Sequence, residues 1–139
     1  MGPVTFFSTR VTANGAYNAG VSSGPIESDP RLPEGIRLFN DGAFLEAGDL
    51  FEELFFEAIV GELEFARVLL QVSAGCLHAE QRQFRPAVER LGEAVLAIDQ
   101  IRDDRGYDLE ALRSDVTRLI AILRDRRVVE SGWPLIRRN

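Results

Sequence analysis

The sequence predicts an all-α protein: a compact bundle of about five helices arranged as helical hairpins, with an irregular N-terminal arm before it. Three observations carry this. Apolar residues recur at three- and four-residue steps through most of the chain after Pro33. Gly and Pro fall at the ends of those stretches, where they start or stop helices. One stretch, from Phe65 to Leu77, is apolar almost all round, which requires a central helix covered on several sides. Residues 1–31 are assigned to the arm and residues 32–139 to a single helical domain.

The arm is rich in Gly, Ser, Asn and Thr and carries no carboxylate before Glu27. Asn14-Gly15 is a hairpin turn signal between Thr9–Thr12 and Tyr17–Val21. A short hairpin and an extended arm are both compatible with this pattern. Phe6, Phe7 and Tyr17 are candidates for docking on the body or on a neighbouring subunit.

The first helix is short. Pro33 suits its first turn and Gly42 its end, with Ile36 and Phe39 facing inward. The second spans Phe44 to Ile59 and buries Phe44, Ala47, Leu50, Phe51, Leu54, Phe55 and Ala58; Gly61 breaks it. The third spans Glu62 to Glu80 and includes the apolar centre. The fourth, Phe84 to Ile101, buries Ala87, Val88, Leu91, Ala94, Val95, Ile98 and Ile101, with Pro86 harmless in its first turn. "RDDRGYD" is a loop, and Asp108 caps a fifth helix with Leu109, Leu112, Val116, Leu119, Ile120 and Leu123 inward. A tail follows, with a Trp133-Pro134 turn placed on the bundle.

A weak internal repeat runs through the helices at a spacing of forty residues: Phe44 aligns with Phe84, Ala47 with Ala87, Phe51 with Leu91 and Glu53 with Glu93. Tetratricopeptide-type hairpins pack on a similar aromatic, small, large pattern, but their period is about 34 and two imperfect copies are too few for a solenoid.

Composition restricts function. The chain has 139 residues, 45% hydrophobic and 27% charged, which suits one domain with its own core. A net charge of -6 argues against nucleic acid, which needs a basic face. All sixteen cationic residues are arginine, expected to form ion pairs on helix faces. "RDRR" at 124–127 reads as a helix end complementing the dipole. A single cysteine, Cys76, permits no internal disulfide, in keeping with a reducing compartment. No apolar run approaches the roughly 20 residues of a membrane helix, and no signal peptide is apparent. The expected location is the cytoplasm. No Gly-rich phosphate loop and no Ser or Cys nucleophile with an orienting base can be identified.

"LFNDGAFLEAGDLFEELF" resembles the opening motif of domain-of-unknown-function family 309, a group of small all-helical proteins. "LLQVSAGCLHAEQRQFRPAVERL" resembles its second block. The resemblance covers roughly residues 33 to 136. Phe39, Asn40, Gly42, Phe44, Glu46, Ala47 and Glu52 match the first block, and Gln71, Ala74 and His78 the second. Gly48 stands at a histidine position, Asp49 at a glutamate, Phe55 at a tryptophan and Pro86 at a glycine. The family is sometimes catalogued as predicted metal-dependent hydrolases on the strength of its His and Glu residues. One of those two histidines is missing here.

The candidate polar cluster is Glu46, Asp49, Glu52, Gln71 and His78. Glu46, Asp49 and Glu53 share a face of the second helix, and Asp49 neighbours Glu52. Gln71 and His78 are two turns apart on the third helix, with Ala74 and Gly75 between them allowing a close helix neighbour. Antiparallel packing of the two helices brings His78 towards Glu46 and Asp49. Such a group is either a buried polar network or a metal site of His78, Glu46 and Asp49. Catalytic zinc commonly takes two or three His or Cys; this chain has one of each, and Cys76 lies about 200° round the helix from His78, so no metal and no cofactor are expected, with an all-carboxylate Mg or Mn site as the alternative. The function expected is that of a non-enzymatic helical interaction or scaffold module, with a protein partner or self-association. The alternative is an atypical or degenerate metal-dependent hydrolase.

Overall fold

The structure is a computed structural model, and it describes residues 25–139. Five α-helices follow one another: α1 (Arg31–Asn40), α2 (Phe44–Glu57), α3 (Leu63–Glu80), α4 (Phe84–Gln100) and α5 (Leu109–Arg124). Short 3-10 turns at Ile26–Ser28 and Val60–Glu62 precede α1 and α3. The described residues contain no strand, although an isolated antiparallel bridge joins Tyr107 to Arg138. The all-α architecture expected from the periodicity is therefore the one found. The hairpin signal at Asn14-Gly15 lies outside the described residues.

Each helix packs chiefly on its neighbours in the chain, and the α3–α4 contact is the most extensive. α3 is the central element, as its apolar girth requires: Phe65, Ala66, Val68, Leu69, Val72, Ser73 and Cys76 are almost wholly removed from solvent. Phe39, Phe44 and Phe51 fill the space between α1 and α2. Phe44 also meets Phe39 and Trp133, each with ring centroids 5.2 Å apart, so the Trp133-Pro134 turn does lie on the bundle.

The forty-residue repeat is a repeat of hairpins. At the end of α1, Gly42 takes φ +88°; its N–H donates to the Phe39 carbonyl (3.0 Å) and that of Ala43 to the Leu38 carbonyl (2.9 Å). At the end of α3, Arg82 takes φ +60°; its N–H donates to the Ala79 carbonyl (3.0 Å) and that of Gln83 to the His78 carbonyl (2.9 Å). Both are left-handed helix stops of the Schellman type. The second helix of each pair then starts at the aligned phenylalanines, Phe44 and Phe84.

The close contacts repeat as well. A Cβ on Gly35 would fall 2.5 Å from Phe51 Cε1, and one on Gly75 would fall 2.6 Å from Leu91 Cγ and Cδ2. In each hairpin the first helix therefore presents a glycine to the large apolar residue of the second.

Three boundaries differ from the expected ones; α3 starts at Leu63 rather than Glu62, which closes the preceding 3-10 turn. α2 stops at Glu57 rather than Ile59, because Ala58 and Ile59 are extended (ψ 138° and 171°). This extension lets Glu62 accept the Ile59 N–H at 3.4 Å and the Ile26 N–H at 2.9 Å through its two oxygens. α4 ends at Gln100 in place of Ile101. Asp108 caps α5 as expected, its Oδ1 accepting the Ala111 N–H at 3.0 Å.

The glycine packing yields a paired prediction. Gly75→Ala forces a methyl against the fully buried Leu91 and should lower unfolding free energy by about 1–3 kcal/mol in urea denaturation. Gly92→Ala, where an added Cβ meets nothing within 4 Å on helix α4, should raise it by about 0.5–1 kcal/mol. Equal effects of the two substitutions would refute the packing argument.

Candidate functional site

The motif residues of α1 and the start of α2 are used structurally. Asn40 makes a reciprocal pair with the tail: its Nδ2 donates to the Ile136 carbonyl and its Oδ1 accepts the Ile136 N–H, both at 2.9 Å. Phe39, Phe44 and Ala47 are core, and Gly42 supplies the left-handed turn. Glu46 is exposed on the first turn of α2.

Asp49 and Glu52 are brought together. Glu52 is only 2% exposed, and its Oε1 has no hydrogen-bond partner. Burial pushes its carboxyl up to about 7, and the charges of Asp49 and Glu53 add to the effect. Glu53 is buried too, but pairs with Arg31, whose Nη1 donates to its Oε1 at 3.2 Å.

On α3 the two sequence candidates have partners from α4 and the turn before it. Arg90 Nη1 donates to Gln71 Oε1 at 3.3 Å. His78 Nδ1 lies 2.6 Å from Gln83 Oε1 and donates to it, since an amide oxygen can only accept. Cys76 is fully buried. Burial, and then the charge of Glu80, push its thiol well above the ordinary range. Among the described residues no group of three or more His, Cys, Asp or Glu side chains is placed to hold a metal ion.

Sequence reasoning missed a cationic anchor. Arg31, at the start of α1, is buried and grips two carboxylates with paired hydrogen bonds. Its Nε and Nη2 reach Asp29 at 3.0 and 2.7 Å, and its Nη1 and Nη2 reach Glu57 at 3.1 and 2.6 Å. Hydrogen bonds from Asp29 and then Glu57 raise the guanidinium pKa further. Burial alone would push the Asp29 carboxyl up, but the bonds and charge of Arg31 outweigh it and hold it below its usual value. Only the Asp29–Arg31 proximity was readable in the chain; Glu53 and Glu57 are 22 and 26 residues away.

A cavity of about 260 Å³ is lined by residues that include Val60, Phe65, Ile101, Arg102 and Arg105. Arg105 (φ +54°) braces it: Nη1 donates to Glu27 Oε1 at 2.9 Å and Nη2 to the Gly61 carbonyl at 2.6 Å. Val60 of this lining is 93% exposed, and nearby in the chain Phe56 and Ile59 are 54% and 67% exposed.

Residues 32–89 match the family model described as a domain of unknown function, DUF309. Over that stretch the chain is similar to the DUF309 family. The match covers α1, α2, α3 and the beginning of α4, the part that contains both sequence blocks. No curated protein and no solved structure gives a significant match to the chain.

Two predictions follow from the buried groups. Because the Glu52 pKa is raised in the folded state, its stabilising contribution is complete below the unfolded value near 4.5 and is lost as pH rises through about 7. Glu52→Gln should therefore raise the melting temperature relative to wild type at pH 8 and leave the difference near zero at pH 4.5; an identical offset at both would contradict the assignment. Cys76 should resist Ellman's reagent in the native protein and react fully on unfolding.

Proposed function

We propose that this protein is a non-enzymatic helical interaction module that works in the cytoplasm. The observation that carries the reading is the exposed apolar pair Ile59 and Val60, of which Val60 lines the cavity together with Phe65, with Phe56 exposed four residues before Val60 in the chain. Single exposed apolar residues are ordinary, but consecutive ones on a connection next to a concavity suit a protein partner or a second copy. The acidic balance of the chain disfavours nucleic acid, and among the described residues no helix is long and apolar enough to cross a membrane.

A second reading, an atypical metal-dependent hydrolase, draws support from the Glu52 carboxyl with its raised pKa beside Asp49. An acid poised near neutrality is suited to proton transfer. Against it stand the 2% exposure of Glu52 and the cavity's different lining.

The two readings differ in measurable ways. The interaction module should purify without stoichiometric divalent metal and melt at the same temperature with or without added Zn, Mn or Mg. A protein that co-purifies with the wild type should be lost from an Ile59→Asp/Val60→Asp variant and kept by Leu96→Asp, which alters an apolar residue 60% exposed on another helix. Stoichiometric metal together with a metal-dependent rise in melting temperature would favour the hydrolase.

A further inference from the structure

Residues 133–139 form no helix and lie on the body as a bound peptide would, held largely by their main chain. The Leu135 N–H donates to Asp115 Oδ2 at 3.3 Å. The Asp108 N–H donates to the Arg137 carbonyl at 2.7 Å, and the Asn139 N–H to the Gly106 carbonyl at 2.9 Å. The Asn40 side chain takes both the N–H and the carbonyl of Ile136. We propose that this channel, built from the end of α1, the start of α2, the 104–108 loop and α5, is a docking site for an extended peptide. Residues 133–139 are its releasable occupant and compete with a peptide from another protein. The segment that fits carries an aromatic residue, an aliphatic one three positions later, and then arginine. The site uses none of the residues of the Ile59 and Val60 surface and goes beyond the reading based on them.

Three arguments support this. The first is the mode of recognition. Main-chain hydrogen bonds are open to any extended segment, so they give affinity, while side-chain contacts select the sequence. Trp133 lies on Phe44 with ring centroids 5.2 Å apart, and Ile136 is only 3% exposed. Arg137 Nη1 lies 3.6 Å from Asp115 Oδ2. These three positions set the pattern of the partner.

The second is charge. Residues 133–139 contain two arginines and no acid, whereas residues 25–132 carry 13 arginines against 22 acids. Beyond Asp115, the channel offers the Tyr107 ring, whose centroid is 4.8 Å from Arg138 Cζ. A basic peptide is attracted to such a body, and an acidic one is repelled.

The third is release. Residues 128–132, which join the tail to the end of α5, are exposed apart from the half-buried Val129. Among the described residues they have no hydrogen-bond or ion-pair partner. The tail can therefore lift without breaking a helix, as a local opening. Asn40 is exposed, so water replaces the bonds its amide loses. Phe44, 2% exposed, would instead lose the cover of Trp133, so the emptied channel favours a new apolar occupant.

The probe is a fluorescent peptide of residues 132–139, titrated against the full chain and followed by anisotropy. Ile136→Asp in the full chain should unseat the tail and bind the peptide about tenfold or more tightly than wild type, whose own tail competes at an effective concentration on the order of millimolar. Adding Asn40→Ala to that variant should weaken the binding several-fold. Equal binding by wild type and Ile136→Asp would overturn the proposal. So would an Ile136→Asp protein that keeps the wild-type helical circular dichroism and ignores the peptide. If Ile136→Asp does not fold, hydrogen exchange on the wild type decides. The Ile136 and Asn139 amides should exchange about a hundredfold faster than those of Val72 and Cys76 in α3. Protection lost only together with α3 would overturn the proposal. A wild-type dimer that grows with concentration and is abolished by Ile136→Asp would overturn it as well, making the tail of a second copy the occupant. None of these outcomes decides the partner-loss experiment on Ile59→Asp/Val60→Asp, so the two ideas can fail separately.

Discussion

The close approach of paired helices at a glycine is the constraint on which the rest of the structure depends. At Gly75 the α3 backbone lies so near Leu91 that no side chain fits between them, and Gly35 and Phe51 repeat the arrangement one hairpin earlier. A glycine inside a helix weakens that helix by itself. Its cost is offset by the dispersion and burial gained when a large side chain enters the groove left open. Once both hairpins close this way, α3 has α2 on one flank and α4 on the other, and its apolar circumference is covered.

Buried charges then fasten the irregular segments to that frame. Arg31 joins the approach to α1 to the second half of α2 through Asp29, Glu53 and Glu57. Glu62 holds both the Ile26 turn and the connection into α3, and Asn40 holds the C-terminal tail. Arg31, Glu53 and Glu62 are hydrogen-bonded, so their burial is tolerated, and with the exposed Asn40 they specify where each segment lies. Glu52 breaks the pattern: it is buried beside other acids with an unpartnered oxygen. By contrast, exposed pairs such as Arg37–Glu34 add little, since water screens them.

This division sharpens what the DUF309 motif does in this chain. Phe39, Asn40, Gly42, Phe44 and Ala47 build the first hairpin and hold the tail on it. The position at which the resembling family carries a histidine is Gly48, and the remaining histidine, His78, bonds to Gln83. Among the acids of α2, Glu46 is exposed, Glu53 and Glu57 pair with Arg31, and Glu52 is buried beside Asp49 with its carboxyl pKa raised. The exposed apolar residues Phe56, at the end of α2, and Ile59 and Val60, on the connection that follows, lie outside the first motif block.

Local chemistry determined much of this protein from the sequence alone. The period of apolar residues located five helices to within about two residues, because burying one stripe of a helix imposes that period on any sequence. Gly42 and Asp108 marked their boundaries because a left-handed turn and a helix cap each favour particular residue types. The forty-residue alignment of Phe51 with Leu91 was likewise visible, and extending it to Gly35 and Gly75 would have located both close contacts. Only the tertiary structure decided which acids are paired, which is suppressed, and which faces Gln71 and His78 find. Those outcomes depend on side chains far apart in the chain meeting at ångström distances, and on how much water is excluded around them. A periodicity registers that a face is buried; it does not register what lies across from it.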